Sequence, residues 1–390
     1  MSSNQASITP DVAKWARDRV GASFEQIAKG LNIKPDQIEA WEKGADRPTF
    51  RQAQNLARFL AIPFGYLFLS QPPKEKIPLP DLRTVSGQKP VNPSTEFLDM
   101  VNDVIVKQQW FHELLEAEGQ ESLPFVGRFA VTASIEPVVA DMAKVLGINE
   151  NVRQQCASWE QFLRTFIQHS EAAGIVVMRS GVVGSNNRRK LSVSEFRGFV
   201  ISDGLAPLIF LNGDDAKAAQ IFTLAHEAAH IWIGESGISN PILRQRSSDE
   251  LNKIEQFCNQ VAAELLIPKE GVIQRWNSSV SVEENVRRLS VYYRISTLTA
   301  LRQAYEVNKI SREQFFSQLD LEYARQRNRE ARQAGGGDFY VTLRSRNGAK
   351  FTTAVVEALS EGRVLHREAA RLLGVKVTTL GKVVENLSKE

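Results

Sequence analysis

Residues 223–232 read TLAHEAAHIW and place two of the chain's five histidines four positions apart in an otherwise apolar segment. Positions i and i+4 of an α-helix lie on one face, so His226 and His230 are expected to project side by side. A buried imidazole is costly unless its ring nitrogens find partners. One ion bound by both rings meets that requirement, and the alternative is two separately hydrogen-bonded core histidines.

Glu227 follows the first histidine and is rotated from it by about 100° around the helix. The segment therefore has the H-E-x-x-H arrangement, with two nitrogen ligands and a carboxylate beside the metal. Zinc lowers the pKa of a bound water to about 7, and the glutamate accepts its proton during attack on a carbonyl. The pattern predicts a Zn²⁺ cofactor and makes Glu227 the catalytic residue that activates a zinc-bound water.

A catalytic zinc ion needs a third protein ligand, and no third histidine lies nearby in the sequence. A helix predicted over about 249–267 supplies candidate carboxylates, which are Glu250, Glu255 and Glu264. Glu255 borders the apolar stripe of that helix and is the predicted ligand, the alternative being a surface carboxylate. Asn259 lies one turn further along the same face. Its side-chain carbonyl is predicted to accept the outer N–H of a zinc-bound imidazole and to fix its tautomer.

Three short runs rich in Val, Ile and Phe predict a small, mainly antiparallel sheet at residues 174–178, 196–203 and 208–213. The last run, LIFLNG (208–213), directly precedes the predicted zinc helix. It is either an edge strand to which a substrate peptide adds as one more strand, or a core strand.

The rest of the chain divides by its composition and periodicity. Residues 1–70 carry helical periodicity broken by short turns, which predicts an all-helical helix-turn-helix domain. Residues 71–93 contain six prolines and are predicted to form an extended linker. Residues 94–334 are predicted to form the zinc metallopeptidase domain with helical flanks, and GGG at 335–337 opens a small C-terminal module, 335–390, with a helix pair. The predicted fold class is therefore α+β.

Composition and charge limit the cellular location and the classes of partner that we expect for the protein. A net charge of +3 is too small to indicate nucleic-acid binding by itself, and two cysteines cannot form a disulfide framework. We expect no signal peptide, because the first residues lack a basic region followed by an apolar one. No apolar run approaches a membrane span. These features predict a cytoplasmic protein without a membrane partner, and they leave a homo-oligomer open.

Two segments, GFVISDGLAPLIFLNGDDAKAAQIFTLAHEAAHIWIGESGIS (198–239) and IEQFCNQVAAELLIP (254–268), together resemble the ImmA/IrrE family of zinc metallopeptidases. The resemblance extends to flanking stretches, which are WEKGADRPTFRQAQNLARFL (41–60), IPLPDLRTV (77–85) and GGGDFYVTL (335–343). It covers most of the chain, and the two core segments are its specific part.

The resemblance implies a zincin-like domain of gluzincin type, in which His226, His230 and Glu255 bind zinc and Glu227 is catalytic. It also implies a zinc-dependent endopeptidase that cleaves a regulatory protein, such as a repressor or a toxin-system protein. The alternative is a helix-turn-helix transcriptional regulator or antitoxin, whose zinc fold binds a partner or senses a signal without turnover.

The N-terminal domain resembles lambda-repressor-type helix-turn-helix domains, with Trp41, Glu42 and Gly44 matching a W-E-x-G ending. It departs from that type where DNA would be read, because Phe24 stands in place of the usual glutamine. Acidic residues of the second helix are expected near the phosphates, namely Asp36, Glu39 and Glu42.

Residues 1–70 hold nine Lys and Arg against seven Asp and Glu, so little positive charge is available for phosphates. The candidate DNA contacts are Lys34, Gln37 and Lys43. We therefore expect weak DNA binding, and the alternative is a module for protein docking or dimerisation.

Overall fold

The computed structural model describes residues 5–73, 79–80, 93–239, 250–330 and 339–387. The chain divides into two compact units, Met1–Pro78 with Asn92–Asp99, and Leu79–Val91 with Met100–Glu390. Within the described ranges, none of the helices combines the length and the apolar character needed to cross a membrane.

The N-terminal unit is helical. Its elements are α1 (Pro10–Arg19), α2 (Phe24–Leu31), α3 (Pro35–Glu42), α4 (Phe50–Phe59) and a 3-10 helix (Phe64–Phe68). Ser23 starts α2 with a capping box, in which its hydroxyl accepts from the Gln26 N–H while its own N–H donates to the Gln26 side chain. Asn32 ends α2 at φ 56°, a left-handed conformation that asparagine tolerates. This turn leads directly into α3 and completes the helix-turn-helix.

Phe24 and Glu42, which differ from what a DNA-binding surface requires, have structural roles inside this unit. Glu42 accepts hydrogen bonds from Arg17 Nε at 2.8 Å and from Nη2 at 3.1 Å, and its side chain is 7% exposed. The same guanidinium lies 4.5 Å from the Phe24 ring centroid, a cation–π contact. The expectation that Glu42 faces phosphates is therefore wrong, because Arg17 neutralises its carboxylate within the unit.

This ion pair yields a stability prediction. Replacing Glu42→Gln leaves the partly buried Arg17 with a neutral acceptor, so we expect the N-terminal unit to lose about 2 kcal/mol of unfolding free energy. Hydrogen exchange of the α1 and α3 amides in the intact chain measures that loss. The matched control is Glu39→Gln, which removes the exposed Lys43–Glu39 pair and should cost below about 0.5 kcal/mol. Equal effects of the two substitutions would contradict the structural role of Glu42.

The rest of the chain is mostly helical around a small sheet, which confirms the predicted α+β class. Its helices are α5 (Thr95–Ala117), α6 (Ile135–Leu146), α7 (Glu150–Gln155), α8 (Trp159–Ala172), α9 (Lys217–Ile233), α10 (Glu250–Leu266), α11 (Lys269–Arg275), α12 (Val282–Tyr293), α13 (Thr297–Glu306), α14 (Arg312–Glu330), α15 (Phe339–Asn347), α16 (Ala349–Ser360), α17 (His366–Leu373) and α18 (Val377–Leu387). Its strands are β1 (Val176–Ser180), β2 (Gly198–Ile201), β3 (Leu208–Asn212) and β4 (Gly237–Ser239).

The sheet has the order β1-β3-β2-β4 and is mixed. Strand β3 pairs in parallel with β1, whereas β2 pairs antiparallel with both β3 and β4. The LIFLNG stretch is consequently an interior strand, with every residue of β3 buried, so the edge-strand alternative is wrong. The edges of the sheet are β1 and β4.

Helix α9 packs against β2, β3, α8 and α10 and is buried along almost its whole length. It begins after Ala216 without a side-chain cap, although Asp214 and Asp215 directly precede this residue. Asp215 instead pairs with Arg197 at 2.8 Å. At the other end, Gly234 adopts φ 77° and closes the helix with a left-handed cap.

A loop after α5 also supports the end of α9. The N–H groups of Gly127 and Phe129 donate to the carbonyls of Ile231 and Trp232 at 2.9 and 3.0 Å. Phe125 stacks on the Trp232 ring with centroids 4.5 Å apart. The last turn of the predicted zinc helix is therefore fixed on both its backbone and its side-chain surfaces.

Candidate metal centre

Helix α9 places the two histidines of the H-E-x-x-H segment on one face, as predicted from their spacing. His226 and His230 are fully buried, and their Nε2 atoms lie 3.2 Å apart. The two rings are inclined by 64° in an edge-to-face arrangement, with centroids 4.9 Å apart.

Helix α10 packs against α9 and brings the predicted third ligand to the same point. Glu255 Oε2 lies 3.4 Å from His226 Nε2, and Glu255 Oε1 lies 3.2 Å from His230 Nε2. Among the residues that the structure describes, these three form the one group of His, Cys, Asp or Glu whose donor atoms all lie within 4.8 Å of one another.

The chemistry and spacing of these donors fit zinc. Zinc bonds to nitrogen and oxygen are about 2.0–2.2 Å long, which places neighbouring ligands of a tetrahedral ion about 3.3 Å apart or slightly more. The measured separations are 3.2, 3.2 and 3.4 Å. Two imidazole nitrogens and one carboxylate leave the fourth position of such an ion open, as catalytic zinc requires.

The predicted hydrogen bond from an imidazole to Asn259 is not formed. Its side-chain oxygen and Nδ1 of both His226 and His230 are buried without a hydrogen-bond partner among the described residues. Asn259 therefore lies on the predicted helix but does not fix a ring tautomer in this structure.

Glu227 is fully buried beside the donor group. Its Oε2 accepts a long hydrogen bond from the Ser239 hydroxyl at 3.5 Å, and its Oε1 has no partner within the described chain. Gly198 of β2 admits this carboxylate, since a Cβ at that position would stand 2.8 Å from Oε1. Burial, together with the negative charge of Glu255, raises the pKa of Glu227 well above its usual range.

Ser239 is a site residue that sequence reasoning missed. Its hydroxyl lies 3.2 Å from Glu255 Oε1 as well as 3.5 Å from Glu227 Oε2, so it links the predicted ligand to the predicted base. Serine is too common in loops to be singled out by type. Only the position of β4 beside α9 and α10 gives this hydroxyl its role.

The surroundings lower the pKa of both Glu255 and His230. Burial opposes ionisation of Glu255, but the two imidazoles outweigh it and lower its pKa below the ordinary value. Burial lowers the pKa of His230, which leaves a ring nitrogen available as a ligand. Cys258, one turn from Glu255, is fully buried, and burial raises its pKa well above normal, so its thiol is an apolar packing group.

The remaining candidates lie elsewhere. Glu264 accepts from the Lys269 N–H at 3.3 Å, and the side chain of Glu250 is outside the described part.

The three candidate DNA contacts belong to the N-terminal unit. Lys34 is exposed before α3, Gln37 accepts from the Lys34 N–H at 3.3 Å, and Lys43 pairs with Glu39 at 2.5 Å. Two of the three are thus already engaged within their own helix.

Comparisons with known families agree with this architecture. Residues 170–305 match the family model described as an IrrE N-terminal-like domain, and residues 14–67 match the helix-turn-helix model. Residues 347–386, covering α16 to α18, match a domain of unknown function. No curated protein matches the chain at a significant level.

The Ser239 contacts predict a specific effect on metal affinity. We expect Ser239→Ala to weaken zinc binding about tenfold, because Glu255 loses the hydroxyl that orients it. Competition against a chromophoric chelator measures the affinity. The control is Ser170→Ala, which removes an equally buried hydroxyl that bonds only to the Phe166 carbonyl. Unchanged affinity in Ser239→Ala would show that Ser239 does not support the ligand.

Proposed function

Because the chain carries a helix-turn-helix domain fused to an IrrE-like peptidase domain, we propose that it is a cytoplasmic, zinc-dependent endopeptidase. We infer that it hydrolyses a peptide bond in a regulatory protein, such as a repressor or a toxin-system protein. The observation that carries the proposal is the set of three donor atoms 3.2–3.4 Å apart with a buried carboxylate oxygen left unpartnered beside them.

In this proposal His226, His230 and Glu255 hold the zinc ion. Bound zinc would act as a Lewis acid that polarises the scissile carbonyl and acidifies water. Helices α9 and α10 hold the three donor atoms 3.2–3.4 Å apart, which matches the spacing of ligands around a tetrahedral ion. The burial of the site lowers the local dielectric constant and so strengthens the electrostatic interaction between the ion and each ligand.

Glu227 acts as general base and then as general acid. Its Oε1, which has no hydrogen-bond partner among the described residues, accepts the proton of the attacking water and then delivers it to the leaving amine. The single proton of the Ser239 hydroxyl is shared between Oε2 of Glu227 at 3.5 Å and Oε1 of Glu255 at 3.2 Å, and Oε1 of Glu227 is the oxygen that we assign to proton transfer.

The outer edge of β4 is where we infer that substrate aligns. β4 ends at Ser239, in contact with both carboxylates of the site, and its inner edge is paired with β2. On the outer side the Ile238 N–H donates to the Pro80 carbonyl at 3.0 Å, so this N–H is directed away from β2. A substrate peptide adding as a strand would use the same N–H.

The catalytic assignment predicts that Glu227→Gln keeps stoichiometric zinc and abolishes cleavage, because an amide cannot accept the proton. Metal content is measured on purified protein. Cleavage is measured as new protein N-termini in cells expressing the wild type but not the variant. The matched control is Glu264→Gln, a half-exposed carboxylate on α10 that should leave both readouts unchanged. Glu255→Ala should lose both.

The opposite outcome favours the regulator or antitoxin alternative. If Glu227→Gln retains the full regulatory effect in cells and the wild type generates no new N-termini, hydrolysis is not the function. The zinc fold would then bind a partner or sense a signal.

The helix-turn-helix match supports a regulator of the DNA-binding class. The contacts of the candidate DNA-binding residues lead us to expect that this binding is weak. Since Gln37 and Lys43 are engaged within α3, we expect gel shifts only at low salt, fading by about 150 mM salt as few phosphates are neutralised. A chain lacking residues 1–70 should give no shift. Tight binding of one sequence at physiological salt would contradict this expectation.

A further inference from the structure

A second concave site lies apart from the metal centre. It is a cavity of about 620 Å³ between α8 and β1 on one side and the C-terminal helices α15, α16 and α18 on the other. None of the proposed zinc ligands lines it. Its apolar wall includes Leu163 and Ile167 of α8 and Val177 of β1. The volume falls within the range of small-molecule sites, about 300–1,000 Å³.

Positive side chains from four separate elements converge on this cavity. They are Arg164 of α8, Arg179 of β1, Lys217 of α9 and Arg344 of α15. The acidic lining residues are fewer, Glu160 and Glu171.

One of these acids is already used by the protein. Glu171 accepts a hydrogen bond from the Lys350 backbone N–H at 3.1 Å, at the N-terminal end of α16. Four cationic side chains and two carboxylates therefore line the cavity.

The positively charged side chains that line the cavity repel one another. Burial and the charge of Arg164 lower the pKa of Arg179. Burial and the charge of Arg179 also lower the pKa of Lys217, against the opposite effect of Glu160, Asp214 and Asp215. Within the described chain, Arg164, Arg179 and Lys217 form no ion pair with a carboxylate at 4 Å or less. Like charges held together at a half-buried site are destabilising, and a bound anion removes that cost.

Two of these cations come from neighbouring elements of the domain core. Arg179 belongs to β1, and Lys217 is the first residue of α9. A guanidinium and an ammonium together match phosphate, which offers several acceptor oxygens.

We propose that this cavity binds a phosphorylated small molecule with an aromatic or apolar body. The phosphate lies between Arg179 and Lys217, and the body lies against Leu163 and Ile167. The site is separate from peptide hydrolysis, and it joins the first residue of the zinc helix to the C-terminal module.

Calorimetric titration of the intact chain tests the proposal with 1-naphthyl phosphate, 1-naphthol and inorganic phosphate. We expect 1-naphthyl phosphate to bind with 1:1 stoichiometry, and about tenfold or more tightly than either fragment, because only it fills both parts of the cavity. The double variant Arg179→Gln with Lys217→Gln should weaken that binding about tenfold or more.

Two further variants make the result decisive. Arg164→Gln changes an exposed side chain and cannot disturb the core, so it should fold normally and weaken binding about threefold even if the double variant does not fold. The matched control, Arg288→Gln, removes an exposed arginine outside the cavity and should leave binding unchanged. Absence of saturable 1-naphthyl phosphate binding, equal binding of 1-naphthol, or unchanged affinity in Arg164→Gln would overturn the proposal.

Discussion

The packing of α10 against α9 is the constraint on which the rest of the second unit depends. It brings two imidazole nitrogens and a carboxylate to within 3.4 Å of one another in a fully buried setting. Such a group is expensive to desolvate unless a cation or a network of hydrogen bonds compensates. Three contacts keep α9 in place despite this desolvation cost. They are the sheet under the helix, the loop that binds its last carbonyls and the stacked Phe125–Trp232 pair.

The sheet contributes more than support, because both neighbours of Glu227 come from it. Gly198 on β2 gives the carboxylate room, and Ser239 on β4 holds one of its oxygens. The proposed base is thereby oriented by groups that are not zinc ligands. Orientation from a rigid element is what a proton-transfer group needs, since small displacements of a base reduce its efficiency sharply.

Charged residues in the N-terminal unit show how a sequence pattern can mislead about a surface. Glu42 lies in the helix that would face DNA, yet its carboxylate contacts Arg17, which neutralises its charge inside the unit. By contrast, the cations around the second cavity are spread over more than 180 residues of sequence and form no local charge run. The net charge of a sequence segment therefore predicts neither the charge of the helix-turn-helix surface nor the charge of the cavity.

Local sequence determined the elements and the chemistry of the candidate site. The helix predicted over about 249–267 appears as α10, because apolar periodicity is a local property of the sequence. The pairing of His226 with His230 is likewise a property of one helix. Tertiary structure decided what depends on neighbours distant in sequence. It made LIFLNG an interior strand, gave Ser239 its two carboxylate contacts, left Asn259 without its expected partner and gathered four cations from α8, β1, α9 and α15. Helix and strand periodicity specify which face is apolar, but not which other face it meets.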